Sequence, residues 1–407
     1  MFSKGIATFI TFAGLATTAL AGPILRVSNS GAADLIDDKY IVVLKSELTE
    51  TQVREHESRI SRFHRNSARD LSGAPTHGLR SKFGFKSGFK GYSGGFDSAT
   101  LQEILKSPEV AFVEQDAIVR LSAEQTDSTW GLDRISHKTF ATPYTYVYDE
   151  NTSGAGSTVF VIDTGINVNH DEFKTANGTR ARWGANFAGD GSSSDGNGHG
   201  THCAGTVAGK TYGVAKKANV VAVKVLNAQG SGTNSGVISG MNWVAQNGKA
   251  NKDVASMSLG GGKSAAVNSA VDAIYAAGIT VVVAAGNENR DASLVSPASA
   301  PKAITVAAMD KTNTRAYFSN FGTLIDIWAP GVDVLSAWIG SNTATRTISG
   351  TSMACPHVAG LAAYLISASS SGLSPAAVDA KIKSLALSDV VKDPKGSPNK
   401  LAYNGNA

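Results

Sequence analysis

Three short motifs hold side chains that together can attack a carbonyl carbon. One contains Asp163, the next His199 and the last Ser352. A serine hydroxyl is a weak nucleophile until a neighbouring imidazole removes its proton, and a carboxylate beside the imidazole fixes its tautomer. The three residue types therefore favour acyl-transfer chemistry, provided that the fold brings them together.

The segments around these residues indicate how each is positioned. Asp163 follows the apolar run at residues 158–162, and His199 is flanked by glycines that let the backbone approach other groups closely. Small residues at 349–351 precede Ser352 and favour a tight turn into a helix. At a helix N-terminus the dipole and the Ser352 backbone N–H both favour developing negative charge.

A fourth polar residue, Asn287, follows the apolar run at residues 280–285. A fixed amide donor near the nucleophile is what an oxyanion requires. Taken singly, these side chains have ordinary structural interpretations: a turn or cap for Asp163, packing for His199, and a turn for Asn287. Their occurrence at strand ends and at a helix start favours the catalytic interpretation.

The chain from residue 129 onward predicts the scaffold for these motifs. Continuous apolar strands alternate with helices, a pattern typical of a parallel sheet covered on both faces. Active sites in such sheets collect at the carboxyl ends of the strands. The predicted strands are residues 158–162, 220–225, 254–259, 280–285 and 304–308, and the predicted helices include residues 235–246 and 265–277.

The preceding region, residues 39–121, has a different texture. Its pattern predicts the order β-α-β-α-β, with Ser98 capping the second helix. Residues 122–128 are polar and lack a hydrophobic anchor, so we expect an exposed linker that a protease can enter. An ordinary surface loop is the alternative.

The amino-terminal residues predict export. A cationic start and an apolar stretch at residues 6–20 end in Ala-Leu-Ala, which is typical of a secretory signal peptide cleaved after Ala21. No later apolar run is long enough for a membrane span, so a secreted, extracellular protein without membrane association is expected. The net charge of +4 does not indicate nucleic acid. Asn151 and Asn177 lie in N-glycosylation sequons.

Together these motifs resemble the subtilisin-like serine proteases (subtilases), and within them the proteinase K group and the secreted fungal alkaline proteases of the oryzin type. The chain order Asp, His, Ser is that of subtilisin, and the resemblance covers nearly the whole chain. It implies an α/β fold, a subtilisin-like parallel sheet with helices on both faces, preceded by a small α+β (ferredoxin-like) inhibitory propeptide. The expected division is a signal peptide at residues 1–21, the propeptide at 22–122 and the peptidase at 123–407.

The resemblance also implies a role for each motif residue. Asp163 orients the imidazole, His199 acts as general base and then acid, and Ser352 is the nucleophile. Asn287 donates to the oxyanion. A protein or peptide substrate would lie extended against the backbone, with apolar or aromatic residues preferred before the cut. The expected substrate-binding residues are Gly230, Ser231, Gly232, Ser258, Leu259, Gly260, Ala284, Ala285 and Gly286.

A structural Ca²⁺ site is implied as well, with the carbonyls of Pro301 and Ala303 and the carboxylate of Asp326 as ligands. No catalytic cofactor is expected. The propeptide is expected to inhibit the enzyme and to aid its folding until it is removed, leaving a monomer that begins near Ala123.

Other interpretations stay open at the level of sequence. His199 and His202 could ligate zinc in a hydrolase, although no third ligand has a telling spacing. An inactive relative could serve as a binding module, which the intact motif residues argue against. Cys203 and Cys355 could form a disulfide, but two free thiols are favoured because spacing cannot establish the required geometry.

Overall fold

The structure, a computed structural model, describes residues 25–28, 35–67, 78–84, 89–117, 122–140 and 142–406. The chain divides into two units, Met1–Val119 and Arg120–Ala407. The signal peptide predicted for residues 1–21 lies outside the described residues. None of the described helices combines the length and the apolar character needed to cross a membrane.

The first unit is a four-stranded antiparallel sheet with two packed helices. Its elements are β1 (Leu35–Leu44), α1 (Glu50–Ser67), β2 (Gly78–Gly84), β3 (Lys90–Gly95), α2 (Ser98–Lys106) and β4 (Val110–Ala117), with sheet order β2-β3-β1-β4. Val42, Ile60, Tyr92 and Ile104 form part of its buried core. The β-α-β-β-α-β order agrees with the predicted ferredoxin-like α+β fold. The edge strand β2 was missed because most of its side chains are exposed and carry no hydrophobic signal.

Two local predictions were wrong. Asp97, and not Ser98, caps α2, because its carboxylate accepts a hydrogen bond from the Thr100 backbone N–H at 2.7 Å. The segment predicted as a linker begins with a strand, β5 (Ser122–Thr126), which pairs antiparallel with β6 (Thr145–Asp149). Alternating partial exposure along β5 explains why its sequence lacks an apolar anchor. The strand predicted at residues 118–121 lies outside the described residues.

The second unit alternates strands and helices along most of its length. Besides β5 and β6, its first elements are α3 (Trp130–Ser136), β7 (Thr158–Asp163), β8 (Lys174–Thr175), β9 (Gly178–Thr179), β10 (Ala181–Asn186), α4 (His199–Ala208), β11 (Asn219–Lys224) and α5 (Asn234–Asn247). Next come β12 (Val254–Met257), β13 (Gly261–Gly262), α6 (Ala265–Ala276), β14 (Thr280–Ala284), β15 (Val295–Ser296), β16 (Ile304–Met309) and β17 (Ile327–Pro330). The last are β18 (Val334–Ala337), β19 (Thr345–Ile348), α7 (Thr351–Ser367), α8 (Pro375–Leu385), β20 (Leu387–Ser388) and β21 (Lys400–Leu401).

A nine-stranded sheet forms the centre of this unit, in the order β10-β11-β7-β12-β14-β16-β17-β21-β20. Neighbouring strands are parallel except for β20 and β21. The five predicted strands correspond to β7, β11, β12, β14 and β16, and their mainly apolar runs are buried on both faces. The predicted parallel sheet is therefore confirmed.

Helices cover both faces of this sheet. On one face, α5 and α6 bury residues such as Met241 and Ile274 against the strands. On the other face, α4, α7 and α8 share a larger core, which includes Val207 and Val358. Helix α7 is buried along nearly its whole length, so it runs through the interior of the unit. This burial fixes the start of α7, where Ser352 lies.

Candidate active site

The predicted catalytic residues lie at the carboxyl end of the sheet and at two helix starts. Asp163 is the last residue of β7, His199 the first of α4, and Ser352 the second of α7. Asn287 follows β14, two strands from β7. Because parallel strands end at the same edge, these distant segments converge there, as ligand sites in α/β sheets generally do.

Asp163 and His199 form a hydrogen-bonded pair. His199 Nδ1 lies 2.8 Å from Asp163 Oδ1, which also accepts a hydrogen bond from the Thr164 backbone N–H at 2.7 Å. Asp163 is fully buried, and the His199 side chain is 25% exposed. Burial lowers the pKa of His199, but the Asp163 carboxylate raises it, and the result lies well above the usual value. Since Nδ1 donates to Asp163, Nε2 remains as the basic nitrogen.

Glycines on both sides of His199 are needed for close packing. A Cβ atom at Gly198 would meet the ring of Trp338, and its φ of 103° disfavours other residues. A Cβ atom at Gly200 would collide with the Gly165 carbonyl oxygen. The interpretation of these glycines as points of close backbone approach is therefore correct.

Sequence reasoning missed Asp195, which ties the start of α4 to the segment after β7. Its Oδ1 accepts hydrogen bonds from the Thr164 hydroxyl at 2.9 Å and the Gly198 N–H at 2.8 Å. Its Oδ2 accepts from the N–H and hydroxyl of Thr201 at 3.0 and 2.6 Å. Thr164 in turn accepts from the Gly200 N–H at 2.9 Å. Asp195 therefore connects the backbone beside Asp163 with that beside His199.

Ser352 lies half-buried at the start of α7 and faces the same cleft as His199. Its hydroxyl donates to the Ser258 carbonyl oxygen at 3.2 Å, and the Ser258 hydroxyl donates to the Ser352 carbonyl oxygen at 2.9 Å. Catalytic hydrogen bonds are often long or misaligned before substrate binds. Rotation about the Cα–Cβ bond is the movement that would turn the hydroxyl from Ser258 toward His199.

Asn287 is exposed, and Thr351 fixes the orientation of its amide. Asn287 Oδ1 accepts hydrogen bonds from the Thr351 backbone N–H at 2.8 Å and from its hydroxyl at 3.0 Å. An atom that accepts a backbone N–H must be the amide oxygen, so Nδ2 is left as a donor. The Gly286 N–H donates to the Thr351 hydroxyl at 3.1 Å. Thr351 is thus a second positioning residue that sequence reasoning missed.

A cleft of about 510 Å³ adjoins the pair of His199 and Ser352. Six of the predicted substrate-binding residues line it: Gly230, Ser231, Gly232, Ser258, Leu259 and Gly260. Its apolar lining comes from Leu226, Val237, Leu259 and Val267. The other three predicted residues do not line it: Ala284 and Ala285 are buried at the end of β14, and Gly286 bonds to Thr351.

The environments of His202 and of the two cysteines decide between the interpretations that the sequence left open, a zinc site and a disulfide. His202 Nε2 lies 3.0 Å from the Val334 carbonyl oxygen and 3.1 Å from that of Arg346, and burial lowers the pKa of His202 to about 4. In the described part of the chain, the close set of potential metal ligands is Asp163, His199 and Cys203, without His202. The zinc pair is therefore not formed. Cys203 and Cys355 are both free and buried, as predicted.

The predicted calcium ligands Pro301, Ala303 and Asp326 line one cavity, but a lysine ammonium contacts the carboxylate there. Asp326 Oδ2 accepts the Thr305 backbone N–H at 2.8 Å, and Asp326 Oδ1 lies 2.7 Å from the ammonium of Lys383. A calcium ion takes six to eight oxygen ligands, whereas here a cationic side chain already holds the free carboxylate oxygen. The predicted site at Pro301, Ala303 and Asp326 is thus in competition with a lysine that sequence reasoning did not place there.

Comparison with known proteins assigns the chain to a family. Residues 154–405 match the subtilase family (peptidase S8), and residues 39–122 match peptidase inhibitor I9. The chain belongs to the subtilase family of serine proteases, and its amino-terminal region carries an inhibitor domain of the kind found in zymogens.

Individual relatives agree with this assignment. The chain is 66% identical to a cuticle-degrading serine protease of Arthrobotrys oligospora, over 100% of both chains. It is 46% identical to alkaline protease 1 of Aspergillus oryzae, over 98% of each. A cold adapted subtilisin-like serine proteinase of known crystal structure is 46% identical, with a TM-score of 0.64, over 69% of this chain and 99% of that one. The predicted resemblance to fungal alkaline proteases is confirmed.

Proposed function

We propose that this subtilase is a secreted endopeptidase in which Asp163, His199 and Ser352 form the catalytic triad. The observation that carries the proposal is the 2.8 Å contact between His199 Nδ1 and Asp163 Oδ1, beside a cleft that also contains Ser352. His199 Nε2 takes the proton of the Ser352 hydroxyl as that oxygen attacks the scissile carbonyl, and later gives it to the leaving amine. The buried Asp163 stabilises the imidazolium formed between these steps.

Two donors serve the oxyanion of the tetrahedral intermediate. Asn287 Nδ2 is one, because Thr351 holds the amide oxygen on the opposite side. The Ser352 backbone N–H is the other, since the first N–H groups of a helix have no partner within it. Both donors are fixed before the reaction, one by the Thr351 contacts and one by the buried helix α7.

The cleft supports a broad preference for apolar or aromatic side chains before the cut. Leu226, Val237, Leu259 and Val267 give it an apolar lining. Gly230–Gly232 and Ser258–Gly260, which also line the cleft, offer backbone that an extended substrate can pair with irrespective of its sequence. Peptides that differ in one residue before the cut should therefore rank by apolar size, with acidic side chains the poorest.

The nucleophile is tested by covalent labelling. Purified mature protein should react with a serine-directed fluorophosphonate and cleave casein, whereas Ser352→Ala should do neither. Ser349→Ala, three residues earlier, is the matched control and should retain labelling. Cuticle protein is a suitable second test substrate, because the Arthrobotrys relative is named a cuticle-degrading serine protease. An active, labelled Ser352→Ala protein would contradict the proposed role.

Maturation is proposed to remove residues 1–21 on export and then residues 22–122, leaving a mature chain that starts near Ala123. The inhibitor match at residues 39–122 ends one residue before that position, which supports the boundary. If processing is intramolecular, Ser352→Ala expressed in a protease-deficient host should accumulate as a precursor that retains residues 22–122. Efficient cleavage of that variant would assign the cut to another protease. N-terminal sequencing of the secreted wild type locates both cuts.

Structural calcium is general in the subtilase family, but its position in this chain stays a prediction, and Lys383 disfavours the site at Asp326.

Glycans are proposed at Asn151 and Asn177, since both asparagines are exposed. Treatment with an N-glycosidase, followed by mass measurement of the secreted protein, tests each sequon. A mass unchanged by the treatment would exclude both glycans.

A further inference from the structure

A second cavity, about 180 Å³ in volume, lies beside the starts of the strands β14 and β16 and the helix α8. Its lining includes Pro301, Ala303, Asp326, Asp379 and Lys383. The first three are the residues that the family resemblance offers for calcium, whereas the last two come from α8. The question is which cation balances the carboxylates that face this cavity.

The position of Asp326 is fixed by the backbone of β16. Its own N–H donates to the Thr305 carbonyl oxygen at 3.0 Å, and its Oδ2 accepts the Thr305 N–H at 2.8 Å. Asp326 therefore pairs with Thr305 through two hydrogen bonds, which leave Oδ1 directed at the cavity. A cation at this place must contact Oδ1.

The ammonium of Lys383 makes that contact. Its Nζ lies 2.7 Å from Asp326 Oδ1 and 2.9 Å from Asp379 Oδ2. Asp379 and Lys383 are four residues apart on α8, so they share one helix face. The side chain of Lys383 is 34% exposed and that of Asp326 23%, so this pair is only partly open to solvent.

Charge decides between the two cations. The carboxylates of Asp326 and Asp379 carry two negative charges, and Lys383 compensates one of them, while Lys302 at the cavity edge lies over the Tyr275 ring. A divalent ion bound to Asp326 Oδ1 would lie next to the lysine ammonium, and the two cations would repel each other. Calcium binding at Asp326 Oδ1 would therefore require Lys383 to leave that carboxylate.

We propose that the ammonium of Lys383 is the built-in cation of this site and replaces a bound Ca²⁺ there. Because the lysine is part of the chain, its ammonium does not have to be captured from solution, and a chelator cannot remove it. The consequence is that Asp326 binds calcium in this chain only after the lysine has been substituted. Calcium sites elsewhere in the chain are unaffected.

The test compares the calcium response of variants of the purified mature enzyme, inactivated with a fluorophosphonate to prevent autolysis. The measured quantity is the difference in Tm between excess CaCl2 and EGTA. Wild type and Asp326→Asn should show the same calcium-dependent difference in Tm, because residue 326 binds no calcium in either protein. Lys383→Met should gain a calcium-dependent rise of roughly 5 °C at about one hundred times its Kd. Adding Asp326→Asn to Lys383→Met should remove that gain.

Lys383→Arg is the matched control, because it keeps the positive charge and should not gain a calcium response. Counting bound calcium by equilibrium dialysis gives a second measurement that does not depend on unfolding, and wild type and Asp326→Asn should bind the same number of ions. A wild type that binds one calcium more than Asp326→Asn would overturn the proposal. So would a folded Lys383→Met variant that responds to calcium no more than wild type.

Discussion

The replacement of Asp195 by asparagine tests whether the network behind the catalytic pair positions it. Asp195 is 8% exposed and accepts five hydrogen bonds: from the Asn197 and Gly198 N–H groups, the Thr164 hydroxyl, and the N–H and hydroxyl of Thr201. Asparagine can keep the three bonds on one oxygen, but its amide nitrogen then faces the N–H of Thr201. A buried donor without a partner costs about 1–3 kcal/mol, and each retained bond loses the contribution of the charge.

We therefore expect the free energy of unfolding to fall by about 3 kcal/mol, which lowers Tm by roughly 6–12 °C. Because the network also holds the backbone beside Asp163 and His199, kcat should fall by about tenfold, equivalent to about 1.4 kcal/mol, with little change in KM. The assay is hydrolysis of a chromogenic peptide well below the new Tm. Asp171→Asn, an aspartate of the same unit paired with the partly exposed Lys174, is the control. A kcat for Asp195→Asn within twofold of wild type would refute the positioning role.

Three further predictions concern protonation. The pKa of His199 lies above its usual value because the Asp163 carboxylate outweighs burial, and the neutral ring is the active form; activity should therefore be lost as pH falls through this raised pKa, and Asp163→Asn should move the acidic limb of kcat/KM to lower pH, apart from lowering its maximum. Burial lowers the pKa of His56, so the folded inhibitor unit resists a proton that the unfolded chain accepts; its stability should fall as pH drops below about 6.5, and proteolysis of the Ser352→Ala precursor should show this, with less pH dependence in His56→Gln. Burial raises the pKa of Cys203 and raises that of Cys355 to about 12; both thiols should label slowly with maleimide in the native enzyme at neutral pH and rapidly in denaturant, and equal rates would contradict the burial.

The strands and the catalytic motifs could be predicted because their signals are local. The sequences of β7, β11 and β14 are valine-rich runs, and strands buried on both faces typically have such near-continuous apolar sequences. The catalytic residues lie at or close to the end of a strand or the start of a helix, so the element boundaries mark them. Here, hydrophobic pattern and chemistry coincide in a short stretch of chain.

The partners of those residues could not be predicted, because they are chosen by the tertiary structure. Asp195 lies in a polar loop with several other small and acidic residues, and its sequence does not distinguish it from Asp190. Lys383 is on α8 and Asp326 directly precedes β17, so they are far apart in sequence. A lysine on a helix surface with an aspartate at (i, i+4) ordinarily indicates a solvated pair. The linker prediction for the segment that forms β5 was wrong for a related reason. This strand is stabilised by pairing with β6, and its sequence has no apolar pattern that would indicate a strand.

Thr351, which precedes the proposed nucleophile, orients the side chain of another residue, Asn287. Beside a nucleophile, a threonine suggests a role in the reaction itself, yet it is fully buried and its N–H and hydroxyl both donate to Asn287 Oδ1. Its hydroxyl also accepts the Gly286 N–H, so the end of β14 and the start of α7 are joined through one side chain. Because the amide oxygen is held there, the Asn287 amide can turn only its nitrogen toward the oxyanion. The geometry of the oxyanion donor is thus set by the residue that precedes the nucleophile in the chain.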